Sequence, residues 1–174
     1  LYQPFCFRVF ATKKNPTPWP KPTHYRTERY ELLKRYVNAA PDSTWWNLVY
    51  SRGPLKLNEG DCNSAGPVSV DFVGGSTGWT EGSYEERERI FQAHVNYQQG
   101  YLYFLANDPS IPAELRARVA QFGLPKNEFP ETAGWPHELY VREGRRLRGD
   151  YVLTEHDCLG KVTVEDSVGL GSFI

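Results

Sequence analysis

Four prolines fall within seven positions, Pro16 to Pro22, in the run NPTPWPKPTHY. Each locks φ and removes a backbone donor, so neither a helix nor an interior sheet strand can pass through this segment. The chain must cross it as an extended, ordered loop or a polyproline II stretch. Regular structure therefore has to lie on either side. Before it, YQPFCFRVFA (residues 2–11) alternates loosely and is rich in Phe, Tyr and Val, which predicts a strand with Arg8 among aromatic neighbours. After it, Thr27 is placed to cap a helix over TERYELLKRYVNAA. Tyr30, Leu33, Tyr36, Val37 and Ala40 keep helical spacing there, and Pro41 ends it.

From Pro41 to Gly82 the signals are loops and short strands, with glycines at 60, 66, 74, 75 and 78. Ser83 and Glu86 then form an S-x-x-E capping box that opens the clearest helix, SYEERERIFQAHVNYQQGYLYFLAND. Tyr84, Phe91, Val95, Tyr101, Leu102 and Leu105 share its apolar face, and His94 beside them reads first as a hydrogen-bonded packing residue. Ser110, Pro112 and the spacing Leu115, Val119, Phe122 predict a second helix ending at Gly123, and the two form a hairpin. A third helix is predicted from Pro136 through HELYVREGRRLRGDYV, with Tyr140, Gly144, Leu147 and Tyr151 as its packed stripe. The last segment, KVTVEDSVGLGSFI, alternates like a strand. The expected class is α+β: a helical hairpin and further helices packed on a small mixed or antiparallel sheet, with long ordered loops.

At 174 residues the chain suits one domain with a sizeable core. Twenty Lys and Arg against 21 Asp and Glu give a net charge of -1, so nucleic-acid or membrane binding would need a local patch. No apolar run is long enough to span a bilayer, and LYQPFCF does not begin a signal peptide, leaving a soluble chain whose location is open. The lack of any Met and the apolar end at Ile174 predict a piece of a longer product. Cys6, Cys62 and Cys158 lack zinc-ligand spacing and read as isolated buried thiols, with one disulfide among them as the alternative.

The stretch GWPHELYVREGRRLRGDYVLTEHD concentrates charge and imidazole. Its arginines are interleaved with Glu138, Glu143 and Asp150, which argues against a phosphate-tracking stripe and hence against nucleic acid. No G-x-S-x-G elbow is present, and the adjacent residues His156, Asp157 and Cys158 do not converge on one metal ion. His137 and His156 are the acid/base candidates, because an imidazole titrates near neutral pH. The fork of Arg142 suits a carboxylate or phosphate on a ligand, and equally a structural ion pair.

Taken in order, YQPFCFRVFAT with PWPKPTHYRTERYELLKRY, NSAGPVSVDFVGG, SYEERERIFQAHVNYQQGYLYFLANDPSIPAELR, QFGLPKNEF, WPHELYVREGRRLRGDYVLTEHD and EDSVGLGSF resemble the central region of a family of FAD-dependent oxidoreductases of bacteria and fungi. The resemblance implies that this chain is the substrate-side part of a two-part flavoprotein. No G-x-G-x-x-G turn for the pyrophosphate is found in it, so its partners would be the missing FAD-binding segments or a companion chain, and a small-molecule substrate. It further implies catalytic roles for His137, His156 and Arg142, substrate contacts from Tyr140, Asn63, Ser64 and Asp71, and an approach of Gly169 and Gly171 to the flavin. No metal is implied. The chemistry would be hydride transfer from a small hydroxylated or sugar-like molecule to FAD. A different class also fits the residues: a non-catalytic carbohydrate- or protein-binding domain that stacks ligands on Trp45, Trp46, Trp79 and Trp135, although core packing is the more ordinary reading of these tryptophans.

Overall fold

The computed structural model describes residues 3–40, 48–49, 60–61, 67–145 and 147–169. Two short strands, β1 (Cys6–Phe7) and β2 (Phe10–Ala11), precede the proline run. The chain is pinned as it enters that run, by backbone bridges from Thr12 to Gly123 and from Thr17 to Leu124. Gly123 is required there, since a Cβ would lie 2.1 Å from the Thr17 carbonyl oxygen. Trp19, between the prolines, is buried and donates its indole N–H to the Val119 carbonyl at 3.2 Å.

The predicted cap at Thr27 is corrected. Thr27–Tyr30 is a 3-10 turn whose capping residue, Arg26, makes no side-chain cap bond, and α1 spans Glu31–Ala39. Strand β3 is Gly60–Asp61. Helix α2, Tyr84–Asn107, starts where the capping box places it: the Ser83 hydroxyl accepts from the Glu86 N–H at 3.3 Å, and the Glu86 carboxylate accepts from the Ser83 N–H at 2.7 Å. Such a cap contributes about 1 kcal/mol. Helix α3, Ala113–Ala120, packs against α2. A second 3-10 turn, Pro130–Thr132, leads to β4, Leu139–Tyr140, and helix α4 is Glu155–Cys158.

Two antiparallel pairs form, β1 with β4 and β2 with β3, so the fold is α+β. By contacts the chain divides into two compact units, Leu1–Gly144 and Arg145–Ile174. The core belongs to the first, where Phe5, Phe7, Leu33, Val37, Tyr101, Leu102, Phe104 and Leu105 are buried together. Tyr84, predicted on the packed face of α2, is 87% exposed: in the first turn it lies beyond the elements that cover the helix further on.

The predicted helix from Pro136 is not formed. Residues 139–140 give their backbone to β1, with Cys6 opposite Tyr140 and Phe7 opposite Leu139, and the chain then runs on without helix to Thr154 through the described positions. Gly144 and Gly149 each cost a helix about 1 kcal/mol, and Arg145, Arg146 and Arg148 crowd like charge into its middle. The expected stripe is accordingly open, with Leu147 97% exposed and Tyr140 and Tyr151 also exposed. In the second unit, Thr154 and Asp157 cap α4, and residues 161–169 form turns rather than the predicted strand. Cys6 is buried as expected, whereas Cys158 is exposed at the end of α4, and Cys62 lies outside the described residues.

Candidate functional site

Both residues of β1, Cys6 and Phe7, are fully buried, whereas Arg8 just beyond the strand is exposed. Pairing with β4 sets Tyr140 opposite Cys6. Arg142, two residues past Tyr140, folds back: one terminal guanidinium nitrogen donates to the Cys6 sulfur at 3.1 Å and to an Asp71 carboxylate oxygen at 3.3 Å. Asp71 is only 2% exposed and is held in its loop by a Ser69 hydroxyl bond to its N–H at 3.0 Å. Burial works against the charge of Arg142, but Cys6 and then Asp71 outweigh it and raise its affinity for the proton. The same carboxylate, after burial, helps push the Tyr97 hydroxyl up to about 12.

The Tyr140 ring is flanked by two cations, with the guanidinium carbon of Arg142 5.1 Å from the ring centroid and that of Arg8 at 6.0 Å. Beside it opens a cleft of about 480 Å³ lined by Arg8, Phe10, Phe129, Pro136, His137, Glu138 and Tyr140. This is within the range of small-molecule sites. The loop on its far side is strained. Phe129 and Ala133, on either side of the Pro130–Thr132 turn, both have left-handed backbones, with φ of 45° and 54°. Each costs about 1–2 kcal/mol relative to an ordinary conformation. The result is a Phe129 ring set edge-on to the His137 imidazole at 5.3 Å, and a His137 Nδ1 that stands 3.8 Å from a Glu131 carboxylate oxygen.

Of the residues singled out in the sequence, His137 and Tyr140 therefore line one cleft, and Arg142 and Asp71 meet each other directly behind Tyr140. His156 is exposed on α4 in the second unit, and its imidazole has no hydrogen-bond partner among the described residues; Gly169 is exposed in the same unit. Asn63, Ser64 and Gly171 lie outside the described residues. Arg8 and Phe129 line the cleft without having been singled out for it. The signal for Arg8 was a charge within an aromatic strand; for Phe129, a left-handed phenylalanine leaves no mark in sequence.

Two tryptophans suggested for ligand stacking do other work. Trp135 is 3% exposed and packs edge-on to Phe7 at 5.6 Å, while Trp79 is half-buried against Phe5 and Arg87. Trp45 and Trp46 lie outside the described residues. His94 is fully buried with Nδ1 2.7 Å from the Ile90 carbonyl oxygen, a packing role, and burial lowers its pKa despite that bond. Among the described residues no group of three or more His, Cys, Asp or Glu could hold a metal ion, and no helix is long and apolar enough to cross a membrane.

A family model described as FAD dependent oxidoreductase matches residues 2–174. The chain belongs to the FAD dependent oxidoreductase family. No curated protein and no solved structure matches it. FAD asks for two things, a flat slot for its ring and a set of backbone donors for its pyrophosphate. The Phe10, Phe129 and Tyr140 walls of the cleft suit a planar or ring-shaped molecule. As for backbone donors to the pyrophosphate, the N-terminus of α2 is closed by its own capping box, and the two strand pairs among the described residues are antiparallel.

Proposed function

We propose that this chain forms the substrate side of an FAD-dependent oxidoreductase acting on a small hydroxylated or sugar-like molecule, with the dinucleotide held by segments other than those described. The observation that carries this reading is the cleft at Tyr140 in a chain of this family. The flavin, when bound, supplies the hydride acceptor. The residues here bind and orient. Phe10, Phe129 and Tyr140 offer faces on which the apolar side of a sugar-like ring stacks, and Arg8 offers a forked donor to its hydroxyl oxygens. His137 is placed at the cleft to take a hydroxyl proton, with Glu131 near enough to stabilise the imidazolium that forms. Arg142 serves as a positioning residue: committed to Cys6 and Asp71, it sets Tyr140 rather than reaching the ligand.

Turnover of a panel of polyols and sugars by the flavin-loaded protein tests this. His137→Ala is expected to lower kcat by at least about tenfold, the low end for a positioned acid/base group. Tyr140→Ala should raise KM for the same substrates. Wild-type kinetics in both variants would remove the cleft from the active site.

A further inference from the structure

On another face of the first unit, α2 and the 3-10 turn before α1 wall a second cleft, of about 460 Å³. Arg29 lies in the turn and Arg26 caps it from an extended backbone, with the Arg29 N–H donating to the Arg26 carbonyl at 3.3 Å, and both residues line the cleft. Across it, Arg89, Ala93 and Asn96 lie at i, i+4 and i+7 on one face of α2. The walls are tied together: the His24 N–H donates to the Asn96 side-chain oxygen at 3.2 Å, and the Tyr30 hydroxyl donates to the Tyr97 carbonyl at 3.0 Å. Tyr25 lines the cleft as a fixed ring, 5.9 Å from Tyr30 and 5.1 Å from Tyr103.

The charge in this cleft is unbalanced. Among the described residues no carboxylate pairs with Arg26 or Arg29, and the partner of Arg89, Glu86, stands at 3.9 Å with both side chains exposed. Glu88 is the acid in the lining. Three arginines thus share, in a chain of net charge -1, the lining of one concavity. Like charges gathered in this way repel unless a shared anion neutralises them, and guanidinium forks match the oxygens of a phosphate. We propose that this cleft binds a phosphate-bearing small molecule, with Arg26, Arg29 and Arg89 on the phosphate oxygens.

Calorimetric titration of the intact chain with inorganic pyrophosphate and, separately, with ADP tests the proposal. Saturable binding is expected, falling as sodium chloride is added and weakened about tenfold in Arg29→Gln and in Arg89→Gln, the scale of one charge-assisted hydrogen bond. Arg118→Gln, outside the cleft, should bind as the wild type does. Pyrophosphate binding as tightly as ADP assigns the site to free inorganic phosphates, and tighter ADP binding assigns it to a nucleotide-borne diphosphate. All three arginines are exposed, so the variants keep the fold, which far-UV circular dichroism checks. No saturable binding of either probe, or affinity unchanged in both cleft variants, overturns the proposal.

Discussion

Arg142 links the core to the cleft, since the guanidinium that meets buried Asp71 and Cys6 also flanks Tyr140. Removing one partner of a largely buried pair costs about 3–5 kcal/mol, most of it from the charge left behind. Arg142→Gln is therefore expected to lower the urea-unfolding free energy by about 3 kcal/mol. Asp71→Asn, which leaves the more exposed partner, should cost less. Equal and negligible losses in both would show that the pair does not hold the site together. The sequence left two readings of Arg142 open, a ligand's anion or a structural acid. Nothing local could decide between them, because the acid that takes it is 71 positions away. His137 and Tyr140 were each legible as site candidates, but not their cleft, whose other walls include Arg8, Phe10 and Phe129.

Among the elements, α2 was the most legible, because its start is signalled by Ser83 and Glu86 and its buried residues recur at helical spacing. The stretch after Pro136 was not. Its helical periodicity was overridden by pairing with β1, more than 130 residues earlier, and no short window records such a partner. The seam between α2 and the 3-10 turn depends on Gly100. A Cβ there would fall 2.0 Å from the Tyr30 hydroxyl oxygen, which donates to the carbonyls of Asn96 and Tyr97. Ala is the better helix former in isolation, yet Gly100→Ala is expected to destabilise the chain by about 1–3 kcal/mol through this overlap. Tyr30→Phe in the same background should recover part of the loss, as measured by thermal unfolding. A Gly100→Ala chain as stable as wild type would show that Tyr30 has room to move.

Over the whole molecule, buried titratable rings contribute to the pH dependence of stability. Burial holds the folded His94 below its ordinary 6.5, so the unfolded chain binds the proton first. Stability is then present above that value and is lost as pH falls below it toward the folded pKa. Tyr97, raised to about 12 by burial and then by Asp71, acts at the other end: its contribution is whole below 10 and is lost as pH rises through the folded value. The melting temperature is expected to decline on both sides of this plateau, with His94→Gln easing the acid limb and Tyr97→Phe easing the alkaline one, which Tyr30 and Tyr101, also raised by burial, share. Limbs that keep their slopes in these variants would place the responsible groups elsewhere. One further consequence concerns the left-handed Phe129. Glycine would relax that backbone, but only the aromatic ring closes the cleft against His137. At this position thermal robustness and ligand selectivity pull against each other, so variants chosen for the first would drift away from the second.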